Sequence, residues 1–76
     1  MIRIAVDFNT MTMDPQERVW IPVRAAQQLA HCLKPGLSIV LYDESLEVEA
    51  VAEYDEVDEG WWARPDQATY RDLASP

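Results

Sequence analysis

L-E-V-E-A-V-A-E-Y, residues 46–54, decides the fold of this chain, because apolar and acidic side chains alternate along it. The apolar set is Leu46, Val48, Ala50, Ala52 and Tyr54, and the other set is Glu47, Glu49, Val51 and Glu53. A helix would mix the two sets, whereas a strand separates them onto opposite faces. The stretch therefore predicts a half-buried strand with one apolar side and one acidic side.

The residues that follow this strand predict a hairpin. The polar residues 55–60 end in Gly60, which suits a turn, and they lead into W-W-A-R at 61–64. Pro65 is expected to end this second strand, since proline lacks the N–H that a ladder requires.

Which of the two adjacent tryptophans belongs to the core depends on the pairing register of this hairpin. If Trp61 lies opposite Tyr54, then Trp61 belongs to the core, and Trp62 and Arg64 lie on the acidic side. A register shifted by one residue exchanges the tryptophans, and the loop leaves both registers open. One tryptophan therefore leaves the core, either as an exposed anchor for a partner or covered by the C-terminal tail.

The chain before the hairpin predicts two short strands. Residues 2–8 alternate apolar and polar side chains, as a half-buried strand does. Residues 9–16 show no period and are expected to form a loop. Residues 19–23 alternate again, but Pro22 restricts this second strand to an edge or to its own end.

A helix and a further strand are expected between these segments and the hairpin. An apolar stripe at spacings of three and four predicts a helix over 23–33, with Val23, Ala26, Ala30 and Leu33 on its buried side. Pro35 and Gly36 then end the helix. Residues 37–43 are an almost unbroken apolar run, which is typical of a central strand.

The predicted fold is a single small domain, residues 1–76, of the α+β class and mostly β. We expect a small curled sheet or partly open barrel of four to five strands with one helix, in the order β-β-α-β-β-β. Residues 66–76 are expected to form a short helical or extended tail, with Asp66 as an N-cap and Tyr70 and Leu73 on its buried side.

The net charge of -8 is concentrated in one segment. Nine of the fourteen acidic residues lie in 43–59, which contains no Lys or Arg. Such a field disfavours nucleic acid and anionic membrane surfaces as partners. The lone Cys32 excludes an internal disulfide, and no apolar run has the length of a signal peptide or a membrane span, which predicts a cytoplasmic protein. A core this small favours a homodimer.

The sequence gives no support for catalysis, and we expect no enzyme activity and no cofactor. His31 and Cys32 are neighbours on the predicted helix and point about 100° apart, so they cannot act as a base and a nucleophile on each other. Cys32 is expected to be a small buried apolar side chain. The segment 55–60 resembles the start of a calcium loop, but Val57 stands at a ligand position, so no metal site is predicted.

The leading functional hypothesis is a noncatalytic interaction or regulatory module that presents its acidic strand and hairpin to a basic protein partner. It would act as an adaptor, an inhibitor or an antitoxin-like regulator, and no small-molecule substrate is indicated. The predicted partner-binding residues are Glu47, Glu49, Glu53, Asp55, Trp62 and Arg64.

An alternative comes from E-R-V-W-I-P-V-R, a helix and L-K-P-G-L-S-I-V-L-Y within residues 17–43. This region resembles the looped-hinge, AbrB/MazE-like pattern. The resemblance implies a swapped-hairpin dimer that regulates transcription by binding DNA through Arg18, Arg24 and Lys34. The sequence departs from that pattern at Glu17, where glycine is usual, and at Trp20, where a small polar residue is usual.

Overall fold

A computed structural model describes residues 2–9 and 15–73, and this part of the chain forms one mixed sheet with a short α-helix. The elements are β1 (Ile2–Ala5), β2 (Val19–Trp20), α1 (Val23–Gln28), β3 (Ser38–Tyr42), β4 (Leu46–Asp55), β5 (Gly60–Pro65), a 3-10 turn (Gln67–Thr69) and β6 (Arg71–Asp72). The predicted class, α+β and mostly β with one helix, is confirmed. Most of the loop predicted at 9–16 and the last three residues of the tail lie outside the described residues.

The five main strands lie in the order β1-β3-β4-β5-β2, and β6 pairs with the start of β4. The sheet is not closed into a barrel. β1 and β3 are parallel, whereas the other pairs are antiparallel. The chain crosses from β2 at one edge through α1 to β3 near the other edge. β4, the strand with the strict alternation, therefore lies at the centre of the sheet.

The register of the β4–β5 hairpin places Tyr54 opposite Trp61 and Glu53 opposite Trp62. This is the first of the two registers that the sequence allowed. Asp55 and Gly60 also pair, so the turn contains only residues 56–59.

The core lies on the apolar side of the sheet. Its fully buried side chains of largest volume are Ile21, Ile39, Leu41, Val19 and Val48. Ala52 and Ala63 lie opposite each other with 0% exposure, and their small size lets α1 lie close to β5. Ala25, Ala26 and Leu29 cover this part of the core from the helix.

The helix is shorter than predicted, because the series of four-residue hydrogen bonds breaks after Leu29, whose N–H still donates to the Ala25 oxygen. The Ala30 N–H donates to the Gln27 oxygen and the Cys32 N–H to the Leu29 oxygen, three residues back in each case. This tighter turn brings Leu33 into the core. Val23 is 58% exposed, and Ala30 and Cys32 are also exposed, so the predictions that these three residues are buried were wrong.

The ends of several other elements differ from the prediction. β1 ends at Ala5, although the Val6 N–H still donates to the Tyr42 oxygen. β2 contains two residues because Pro22 begins the helix as its N-cap. Asp66 caps the 3-10 turn through the Ala68 N–H, as expected, but Leu73 is 43% exposed because its segment continues from β6 at the surface.

Candidate functional site

The six residues predicted to bind a partner share one side of the sheet, which we call the acidic face. The face is defined by the four acids Glu47, Glu49, Glu53 and Asp55 of β4 together with Trp62 and Arg64 of β5. The observed register places Trp62 and Arg64 beside the β4 acids, as expected. The acids of this face differ, however, in whether they already form an ion pair with an arginine of the same chain.

Glu47 is the most enclosed of these glutamates, with a side chain that is 13% exposed. Arg3 of β1 lies 2.9 Å from one carboxylate oxygen and Arg71 of β6 lies 3.2 Å from the other. The Arg3 guanidinium also lies over the Tyr42 ring, 4.9 Å from its centre. Glu47 therefore ties three strands together and presents little free charge to a partner.

Glu53 is matched by Arg64, which lies beside it on β5. Two guanidinium nitrogens of Arg64 donate to the two carboxylate oxygens of Glu53, a bidentate arrangement. Arg64 also donates to the side chain of Gln16, which joins the loop before β2 to the hairpin. These contacts of Arg64 hold the segment before β2 against the acidic face.

Arg18 lies almost buried against this face, with 7% exposure. Its Nη1 donates to Asp55 Oδ2 at 3.1 Å, and its guanidinium lies 4.7 Å from the centre of the Trp62 ring. A buried guanidinium needs such a carboxylate, because an unpaired charge is expensive to desolvate. The Asp55 carboxylate therefore already forms an ion pair within the fold.

Trp62 is half-buried, so the prediction of an exposed tryptophan anchor was wrong. Trp20 of β2 packs edge-on against it with ring centres 5.0 Å apart, and the Nε1–H of Trp62 donates to Asp58. In the described residues Trp20 and Arg18 cover part of the ring, a cover that the sequence did not predict. Trp61 is half-buried as well and packs against the core, as this register predicted.

Asp55 also holds the turn that follows it. Its Oδ1 accepts the N–H groups of Val57 and Asp58 at 2.8 and 3.2 Å. The Asp58 N–H, then the Arg18 side chain and the Val57 N–H, lower the pKa of Asp55 below 3.8. The turn geometry is thus fixed by a carboxylate that stays ionised.

Three of the exposed acids lie close together in this turn. Residues 56–59, which we call the acidic loop, contain Glu56, Asp58 and Glu59 around Val57, whose exposure is 92%. Glu49 is also exposed, on the acidic face itself. The sequence pattern predicted a binding site on the acids of the strand. The ion pairs of these acids with distant arginines could not be predicted, because nothing in the local sequence indicates them.

The residues of the DNA-binding alternative lie on separate parts of the fold. Arg18 precedes β2 and is buried against Asp55, whereas Arg24 is exposed on α1 and Lys34 is exposed in the turn after it. Arg18 would have to leave its carboxylate to contact a phosphate. The described geometry therefore does not assemble these three cations into one surface.

His31 and Cys32 are both exposed in the turn after α1. In the parts of the chain that the structure describes, no group of three or more metal-ligating side chains is brought together. Nor does any helix there have the length and apolar character needed to cross a membrane.

Comparison with protein-family models, with curated proteins and with solved structures finds no match for this chain.

Proposed function

We propose that this protein is a noncatalytic interaction module that binds a basic partner protein through its acidic loop. The observation that carries the proposal is the contrast between two groups of acids. Glu47, Glu53 and Asp55 are paired with arginines of the same chain, whereas Glu56, Asp58 and Glu59 are exposed. The loop acids thus face solvent, where a second protein can reach them.

The loop is also held in a fixed shape before any partner arrives. Asp55 accepts two backbone N–H groups within the loop, and Trp62 donates to Asp58 from the strand. A preorganised loop loses less conformational entropy on binding than a flexible one does. Val57, exposed between two acids, adds an apolar contact at the centre of this surface.

The other acids of the segment 43–59 strengthen the field of the loop. The net charge is -8, and the segment 43–59 contains no base. A field of one sign steers an oppositely charged protein toward the surface and raises its association rate, an effect that salt screens. The same field repels the phosphates of nucleic acid.

The test is affinity capture from the lysate of the source cells with three forms of the protein. The loop variant carries Glu56→Gln, Asp58→Asn and Glu59→Gln. The control variant carries Glu17→Gln, Glu44→Gln and Glu49→Gln, which removes the same charge from exposed positions outside the loop. Glu49 lies six residues before Asp55 on β4, a distance of about 20 Å along a strand.

We expect the wild type and the control variant to capture the same basic protein, and the loop variant to lose it. Retention of that protein by the loop variant would contradict the proposal, as would equal loss from both variants. If no form captures a basic protein, the proposal is also wrong. Circular dichroism and thermal unfolding of the three forms confirm that each is folded.

A further inference from the structure

A second feature lies beside the acidic loop, between α1 and the closed end of the β4–β5 hairpin. It is a cavity of about 260 Å³, lined by Trp20, Tyr54 and Trp61 and by Glu59, and we call it the aromatic cavity. Its other lining residues are apolar or uncharged. Within the described residues, therefore, the one charge on its wall is a carboxylate.

The three rings are placed by different elements. Tyr54 and Trp61 lie directly opposite each other in the hairpin, with their rings edge-to-face and 5.3 Å between centres. Trp20 comes from β2 and lies across Gly60, where an added Cβ would sit only 2.1 Å from its Cη2 atom. Ala26 of α1 and Ala30 of the turn after it line the side of the cavity opposite the hairpin, and their small side chains leave the space open.

The residues that line the cavity favour a cation as its ligand. The faces of aromatic rings carry partial negative charge and attract a cation placed over them, most strongly where water is excluded. Glu59 adds a full negative charge at this wall. An anion would be repelled by the same groups.

The size and the hydrogen-bonding groups of the cavity further restrict the class of cation that it can bind. A volume of about 260 Å³ lies just below the roughly 300–1,000 Å³ of pockets for drug-sized ligands. A bare ammonium would need acceptors for three N–H groups, whereas the wall is mainly rings and apolar side chains. Alkyl groups on the nitrogen replace those donors with carbons that contact the rings.

We propose that the aromatic cavity binds a substituted ammonium group, that is, a positive charge carried on methyl or methylene carbons. This inference goes beyond the proposed function, since the rings take no part in the acidic loop and only Glu59 belongs to both. Such a group occurs on free small molecules and on methylated lysine side chains. The two sources share the chemistry and differ in what surrounds the group.

The experiment compares choline with its uncharged isostere, 3,3-dimethylbutan-1-ol, at constant ionic strength. Each is titrated into the full chain while the indole N–H signals of the three tryptophans are followed by NMR. We expect choline to bind about tenfold or more tightly than the isostere and to shift Trp20 and Trp61. Equal affinities would identify a merely apolar cavity and overturn the proposal, as would no binding of choline.

Two variants and a matched control locate the site. Tyr54→Leu removes a ring that is 47% exposed, and Glu59→Gln removes the carboxylate while keeping its shape. Both are expected to weaken choline binding several-fold. Glu56→Gln removes the same charge from the same loop outside the cavity and is expected to leave the affinity nearly unchanged. If Glu56→Gln weakens binding as much as Glu59→Gln, only the long-range field acts and the proposal fails.

The source of the cation is distinguished with two further probes, tetramethylammonium and a peptide that contains trimethyllysine. Tighter binding of the peptide indicates a methylated partner protein, and equal binding indicates a free small molecule. Tyr54→Leu leaves every loop acid in place. Its effect on choline therefore separates this site from the capture of a protein by the acidic loop.

Discussion

Two aspartates, Asp43 and Asp55, begin the turns on either side of β4, and both accept backbone N–H groups. Asp43 Oδ1 accepts the N–H groups of Ser45 and Leu46 at 2.7 and 2.9 Å. These bonds, Ser45 first, lower the pKa of Asp43 below 3.8, just as the Asp58 N–H and Arg18 lower that of Asp55. A proton on either carboxyl therefore weakens the turn that it holds.

Acid is expected to destabilise the protein through these two groups. Because each pKa is lower in the folded chain than in the unfolded chain, the unfolded chain takes up the proton first as the pH falls. Their contribution to stability is therefore complete above about pH 4 and is lost as the pH falls through the folded pKa. Urea unfolding at a series of pH values measures this loss.

Asp43→Asn keeps a side-chain oxygen for the turn but removes the titrating group, so the acid loss of stability is expected to become smaller. Identical pH curves for wild type and Asp43→Asn would show that this turn does not titrate as described.

Gly60 is required by its contact with Trp20. Gly60→Ala places a Cβ 2.1 Å from the Trp20 ring and forces the ring to move. Overpacking of this kind typically costs about 1–3 kcal/mol in the free energy of unfolding. Urea denaturation of the single variants and of the double variant with Trp20→Val measures the coupling. We expect the alanine to cost less in the Trp20→Val background, and an equal cost would exclude this explanation.

At the level of single residues, the sequence predicted which side of the sheet each β4 side chain occupies but not what it contacts. Period-two alternation is a local property of the chain, so Glu47 and Val48 were assigned to the correct sides. The pairing of Glu47 with Arg3 and Arg71 joins residues far apart in the sequence. The burial of Trp62 under Trp20 and Arg18 depends on such distant contacts in the same way.

At the level of elements, β4 is the best test of the register because adjacent residues face opposite environments. Ala52 is fully buried against Ala63, whereas Val51 is 42% exposed on the acidic face. Ala52→Leu is expected to cost about 1–3 kcal/mol by overpacking, and Val51→Leu to change stability by less than about 0.5 kcal/mol. Urea denaturation compares them, and similar costs would mean that β4 does not present these faces.

The positions of elements with a strong local sequence pattern were predicted closely, whereas the positions of elements with a weak pattern were not. Alternation over nine residues located β4, and the polar turn located its hairpin. The helix was predicted over 23–33 from one apolar stripe, but Ala26, Leu29 and Leu33 form another with the same spacing, and this second stripe faces the core. β6 contains two residues, which is too short for any period to be read.

At the level of the whole molecule, the strand order lay beyond sequence reasoning. β1 and β3 pair in parallel although β2 and α1 come between them in the chain. The pattern of each segment is compatible with several orders, since the pairing of strands depends on contacts between segments far apart in the chain. The mostly β class with one helix followed from the patterns, but the arrangement of the acidic face did not.

The distribution of charge also becomes clear only at this scale. The sequence places nine acids in one segment, and the fold then matches three of them with arginines from other parts of the chain. Three more of the nine are exposed together in the acidic loop, and Glu44 and Glu49 are exposed outside it. The proposed function rests on this division between matched and exposed acids.

The most direct test of this division is the salt dependence of the affinity between the protein and the basic partner that it captures. Titration calorimetry at about 0.1 M and about 1 M salt, where the screening lengths differ about threefold, measures it. We expect the affinity of the wild type and of the Glu17, Glu44 and Glu49 variant to fall steeply with salt. The loop variant should bind weakly with little salt dependence. An unchanged salt dependence in the loop variant would contradict the claim that the acidic loop is the binding surface.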